Sequence, residues 1–166
     1  MTVIVLAMHG APPKDYPGSE LMEFFKLHMA LEHGDGFPQA MIHKHDEMDD
    51  KIRQWPRTAK NDPFWYASHK LAQEMNRITG YDVIVGFNEF CSPSIDEALE
   101  TAVQSGADEI IVITPMMTPG GKHSEIDIPQ SIERAQESHP DVSFRYAWPF
   151  DLSVVASFLA EQLSQL

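Results

Sequence analysis

Cysteine is nearly absent: Cys91 is the only one in 166 residues. A single thiol excludes an internal disulfide and suits a reducing compartment. Basic residues are scarce too, with 12 Lys and Arg against 25 Asp and Glu, for a formal net charge of −13. Phosphate backbones are held by a basic field, so this balance argues against nucleic acid as a partner. An acidic surface concentrates cations instead. Long apolar runs are also missing. The opening "MTVIVLAMHG" has no basic region ahead of its apolar stretch, which is too short to cross a bilayer. It reads as a first strand, the expected address is the cytoplasm, and no membrane partner is expected. There is no evident repeat or low-complexity segment. The 43% hydrophobic and 22% charged content is ordinary for a globular chain, and the length fits one domain over 1–166.

Four short apolar runs carry strand character: residues 2–8, 82–88, 109–116 and 142–148. The first three are nearly continuous in β-branched residues, as expected of strands buried on both faces. Helical patterns separate them. Ile95, Ala98, Leu99, Ala102 and Val103 follow the spacing of one buried stripe. Ser92 or Ser94 is the N-cap of that helix, a proline stands near its first position, and Gly106 is its C′ residue. Further helices are expected over about 64–79, 128–138 and 154–163. Strand alternating with helix means an α/β fold with right-handed crossovers. The expectation is a three-layer sandwich around a four-stranded parallel sheet of order 2-1-3-4. Residues 11–63 break this rhythm and read as an insertion after strand 1, lying over the sheet's C-terminal edge. It begins with a helix capped by Ser19 and ended by Gly34, and continues as an irregular polar stretch.

"MHGAPP" puts His9 at the tip of the first strand, and "TPMMTPGGKH" puts His123 just beyond the third. In a 2-1-3-4 sheet these strands are neighbours whose crossovers leave on opposite faces, which opens a ligand crevice between them. Glu89, in "GFNEFCSPS", reaches the same edge. Two histidines and a carboxylate suit a borderline divalent metal such as Co²⁺, Fe²⁺, Ni²⁺ or Zn²⁺. "HKHDEMDD" has two readings: His43, His45, Asp46 and Glu47 collect cations, or the run is a solvated face. His28, His33, His69 and His139 read as surface or helix histidines without a role, and Cys91 as a small, half-buried residue near the site.

"VLAMHG", "VIVGFNEFCSPSIDEAL", "GADEIIVITPMM" and above all "GGKHSEIDIP", with His123 four residues before Asp127, resemble the small single-domain sirohydrochlorin cobalt chelatases. These belong to the class II tetrapyrrole chelatases, which include ferrochelatase. The resemblance covers residues 1–10 and about 64–163. It implies a flavodoxin-like chelatase fold, His9 and His123 as metal-site histidines, and Glu89 as the acidic position after the second strand. It also implies a homodimer, because one such unit supplies half of a two-domain chelatase cleft. Two features depart from the small chelatases and lean toward ferrochelatase. The first motif continues as His9-Gly10-Ala11-Pro12 rather than His-Gly-Ser, and the insertion is long.

The implied reaction places a divalent metal, with Co²⁺ ahead of Fe²⁺ or Ni²⁺, into sirohydrochlorin or a related carboxylate-rich tetrapyrrole, with no organic cofactor. A neutral histidine serves as both ligand and base for the pyrrole N–H protons. A sparse ligand set is an advantage, because the metal must leave again. Lys51, Arg53 and Arg57, with Lys44, Lys60 and the aromatics Trp55, Phe64 and Trp65, would form a lid that pairs with substrate carboxylates and covers the macrocycle; the other reading is a solvated loop with hydrophobic anchors. Lys122 and its glycines would leave room for the substrate to approach. A porphyrin ferrochelatase-like enzyme and a non-catalytic metal or tetrapyrrole carrier are the alternatives.

Overall fold

The structure is a computed structural model that describes every residue except Asp35, together with every side chain except those of Asp35, Glu32 and His33. The chain runs β1 (Thr2–Met8), α1 (Gly18–His33), α2 (Gln39–Arg53), α3 (Pro63–Thr79), β2 (Asp82–Phe87), α4 (Ile95–Gln104) and β3 (Glu109–Ile113). A π-helical turn (His123–Asp127) then leads into α5 (Ile128–Ser138), β4 (Ser143–Tyr146) and α6 (Leu152–Leu163). The sheet order is β2-β1-β3-β4 and every pairing is parallel, as the alternation of patterns predicts. β3 stops at Ile113 rather than at 116, because Pro115 has no N–H to give to the ladder.

β1 is central and buried on both faces, and the period of two divides its side chains between two cores. Val3, Val5 and Ala7 pack with Ile95, Ala98 and Leu99 of α4 and with Ile110, Val112 and Ile128. Leu6 and Met8 point the other way, onto Ala72 of α3, Val85, Phe87 and Cys91. Ser94 is the N-cap of α4 and shares a capping box with Glu97, which stabilises a helix start by about 1 kcal/mol. Pro93 therefore precedes the cap rather than opening the helix. Gly106, with φ of 87°, ends α4 in the left-handed region as expected.

The insertion corrects two expectations. Pro17, not Ser19, occupies the cap position of α1, and no side chain caps that helix. Gly34 does end it. The stretch expected to be irregular is mostly a second helix, α2, which pairs with α1. These helices carry a core of their own, with Tyr16, Phe24 and Ile52 packed on Phe90 of the β2–α4 loop. Each such buried side chain contributes roughly 2 kcal/mol, which holds the hairpin against the C-terminal edge of the sheet.

Arg57 fastens the insertion from inside. Its guanidinium meets Asp62 at 2.5 Å, with side-chain exposures of only 5% and 1%. It also donates to the carbonyls of Ala11, Ile52, Trp55 and Phe90. Asp62 without this partner would be an uncompensated buried charge, costing roughly 3–5 kcal/mol. Cys91 is fully buried rather than half-buried, and burial pushes its thiol up to about 11. Among the described residues no helix is long and apolar enough to cross a membrane. α6 has no buried residue, and Leu152, Val154, Phe158, Leu159 and Leu163 are all more than half exposed.

Candidate metal site

Beyond the last paired residues of β1 and β2, the two chains stay hydrogen-bonded. The Asn88 amide donates to the Met8 carbonyl at 2.9 Å, and the Glu89 amide donates to the His9 carbonyl at 3.0 Å. His9 and Glu89 thus sit on one extended ladder. Gly10 makes that approach possible. Its φ is 110°, and a Cβ there would lie 1.8 Å from the Glu89 carbonyl oxygen. His123 arrives from the other side of β1, at the start of the π-helical turn that follows β3.

The three side chains converge. Nε2 of His9 lies 3.2 Å from Oε1 of Glu89, and Nε2 of His123 lies 3.6 Å from the same oxygen. The two imidazoles meet edge to face, with centroids 4.7 Å apart. One donor atom from each of the three lies within 4.8 Å of the others. His9 is half exposed, whereas His123 and Glu89 are mostly covered. Both rings are oriented through their other nitrogen. His9 Nδ1–H donates to the Gly10 carbonyl at 2.8 Å, and His123 Nδ1–H donates to the Asp127 carboxylate at 2.6 Å. Each bond fixes the tautomer that leaves Nε2 available as a ligand.

The electrostatics favour charge at the centre. Burial opposes ionisation of Glu89, yet His123, His9 and His28 together outweigh it and hold the carboxyl below its usual range. The pairing with Glu89 raises the His123 pKa. Burial partly offsets this, and Asp127 adds to it.

The three side chains that meet here are those singled out from the sequence, which gave Asp127 no role. The i, i+4 spacing of His123 and Asp127 was legible, and the π-helical turn sets the two side chains one above the other. Replacing Asp127 with asparagine should weaken Co²⁺ binding at the trio about 10- to 100-fold. A Co²⁺ titration showing unchanged affinity would remove Asp127 from the site.

The cleft over this centre, of about 430 Å³, is also lined by Arg53, Lys122, His28 and His45. Arg53 is anchored there, donating to Asp49 and to the carbonyls of Cys91 and Asn88. The remaining members of the expected lid do not line it. Arg57 is the buried fastener described above. Lys51 pairs with Glu20 on the surface at 2.5 Å. Trp55 donates to Asp15 and packs on Tyr16, lining a separate pocket with Lys14 and Lys60. Of the "HKHDEMDD" run, His43 pairs with Glu47 in solvent, while His45 and Asp49 turn to the cleft. His28, expected to have no role, meets His45 there. The His33 side chain lies outside the described residues.

The model of the family CbiX matches residues 60–166. A sirohydrochlorin cobaltochelatase of Priestia megaterium is 41% identical over 63 residues, covering 38% of this chain and 20% of that protein. One from Sulfurisphaera tokodaii is 44% identical over 85 residues, covering 50% of this chain and 60% of that protein. The chain thus matches at most about three-fifths of these relatives' length. Among solved structures, the sirohydrochlorin chelatase SirB from Bacillus subtilis subspecies spizizenii, in complex with cobalt, is 19% identical. That match covers 98% of this chain and 50% of that chain, with a TM-score of 0.48. The family match takes in more than half of the sequence and contains Glu89, His123 and Asp127, and with it the chain belongs to the CbiX family.

Proposed function

We propose that this protein is a metal chelatase, inserting Co²⁺, or Fe²⁺ or Ni²⁺, into sirohydrochlorin or a related carboxylate-rich tetrapyrrole. The convergence of His9, Glu89 and His123 on one point, beside a cleft that Glu89 and His123 line, carries this reading, and membership of the CbiX family supports it. The metal is a substrate, so few ligands and an open side are what transfer needs. Two neutral imidazoles and one carboxylate would strip part of the hydration shell without enclosing the ion. The macrocycle takes up M²⁺ and loses two N–H protons. As the metal leaves, the ligand atoms become the bases that accept those protons. His123 is the best placed, because Glu89 and Asp127 stabilise its protonated form.

A chain of net charge −13 needs local cations to accept a polycarboxylate, and Arg53 and Lys122 line the cleft. Lys122→Ala should raise the KM for sirohydrochlorin several-fold while kcat holds; an unchanged KM would release Lys122 from that role. The substrate is tested by supplying Co²⁺ with either sirohydrochlorin or protoporphyrin. Insertion into the first supports this reading. Insertion into the second alone would make the protein ferrochelatase-like, and tight binding without turnover would make it a carrier.

The homodimer expectation fits α6, whose apolar face is uncovered in the single chain and would be shielded by a second copy. Phe158→Glu with Leu159→Glu should convert a dimer in sedimentation to a monomer. A wild-type monomer would end this part of the reading. A cytoplasmic address suits the lone reduced thiol, and recovery in a membrane or secreted fraction would overturn it.

A further inference from the structure

The hairpin of α1 and α2 brings His28 and His45 together at the cleft. Nδ1 of His28 lies 3.0 Å from Nε2 of His45. Their centroids are 5.2 Å apart and their planes 19° apart. The nitrogen–nitrogen distance plus a ring radius on each side accounts for that centroid separation. The rings therefore meet nitrogen to nitrogen, close to one plane, rather than lying face on face. Buried Phe24 packs beside both at near-parallel tilt, which fixes their orientation. His45 Nδ1 is 3.1 Å from the Asp46 carboxylate, so this nitrogen carries the proton and Nε2 faces His28 unprotonated. Both residues line the cleft that holds Glu89, His123 and Asp127. Both also lie outside residues 60–166, the part matched by the family.

We infer that His28 and His45 form a second divalent-cation site, contributed by the insertion and distinct from the His9–Glu89–His123 centre. The carboxylate behind His45 repeats the arrangement that orients metal-binding imidazoles. A cation with imidazole bonds of about 2.0–2.1 Å holds two adjacent nitrogens roughly 3 Å apart, close to the separation present. An in-plane rotation of each ring, parallel to the Phe24 face, turns both lone pairs onto the ion. The ion replaces the shared proton, which moves to the other nitrogen of His28, so both rings stay neutral. Two protein ligands leave the remaining positions to water, which makes this a staging point where an ion can be held beside the first centre. That staging role rests on the proposed function; binding of the ion does not.

The test is calorimetric and spectroscopic titration of the full chain with Co²⁺ alone at neutral pH. Wild type should bind two equivalents per chain. His28→Phe with His45→Phe keeps the ring packing on Phe24 and should bind one equivalent. His9→Ala with His123→Ala should also bind one, and combining all four substitutions should leave none. Far-UV circular dichroism checks folding. Should the double phenylalanine variant not fold, His45→Gln leaves a polar partner for His28 and should weaken the second equivalent at least tenfold. A single equivalent in wild type, or two in a folded His28→Phe/His45→Phe protein, would overturn the inference. Two equivalents without cobalt insertion would refute the chelatase reading and leave this site standing. Insertion with one equivalent would do the reverse.

Discussion

Replacing His123 with alanine is expected to lower cobalt insertion into sirohydrochlorin to the uncatalysed background, a loss of at least roughly 10²–10⁴-fold. The effect is large because, in the proposed reaction, one ring would serve twice. Nε2 faces Glu89 and would be a metal ligand, and the same nitrogen would become the base once the metal has gone. Alanine also takes from the Asp127 carboxylate the imidazole N–H that it accepts. Fold stability should change much less, since the ring is partly exposed and stands outside all three hydrophobic cores. The variant should therefore melt near wild type while losing turnover. An equal insertion rate in the two proteins, above background, would end the catalytic reading. The pH dependence has a definite sign. His123 holds its proton to a higher pH than an ordinary histidine, and a protonated ring cannot bind metal. Metal uptake should weaken as pH falls from above 6.5, and the His123–Glu89 pairing should stabilise the empty fold most on that acid side. Its contribution is fully present below the unfolded-state value and is lost as pH rises through the raised one.

Replacing Gly10 with alanine is expected to damage both the site and the fold. The new methyl would stand 1.8 Å from the Glu89 carbonyl oxygen, a backbone atom, and 2.9 Å from its carbonyl carbon. It would also occupy a φ of 110° that side chains rarely adopt. Strained backbone costs about 1–3 kcal/mol, and overpacking adds a similar amount. The chain can relieve the contact only by parting the ends of β1 and β2, which separates His9 from Glu89. The measurable result is a lower urea midpoint with an unchanged slope, together with loss of Co²⁺ binding at the trio. A variant that keeps wild-type metal affinity would show that the Gly10–Glu89 approach does not position the ligands.

Much of this could be read from the sequence, for local reasons. The β-branched runs of β1, β2 and β3 have few alternatives, and the 2-1-3-4 order follows from handed crossovers. Those two facts alone bring His9 and His123 to one edge. α2 was harder to see. Its fifteen residues contain no proline or glycine, yet only Ile52 is buried, so its polar sequence shows almost no apolar stripe. Arg57 was misjudged for another reason. A cation in a polar segment looks like a surface charge until the fold supplies Asp62 and four carbonyls from elsewhere. The meeting of His28 with His45 depends on how two helices pair across seventeen positions, which no local pattern records. Asp127 was within reach, since its spacing from His123 was visible.

The backbone bonds that join His9 to Glu89 have a dynamic consequence. The Glu89 amide can exchange with solvent only when the ends of β1 and β2 separate, so its protection should approach that of the central strands. His123 belongs to a π-helical turn outside the sheet, held by local bonds such as that from the Ile128 amide to the His123 carbonyl and by one bond from the Tyr146 hydroxyl of β4 to the Ser124 carbonyl. Amides of that turn should open at lower cost. One side of the proposed centre would then be as rigid as the sheet, while the other would open more readily and ease the departure of an ion.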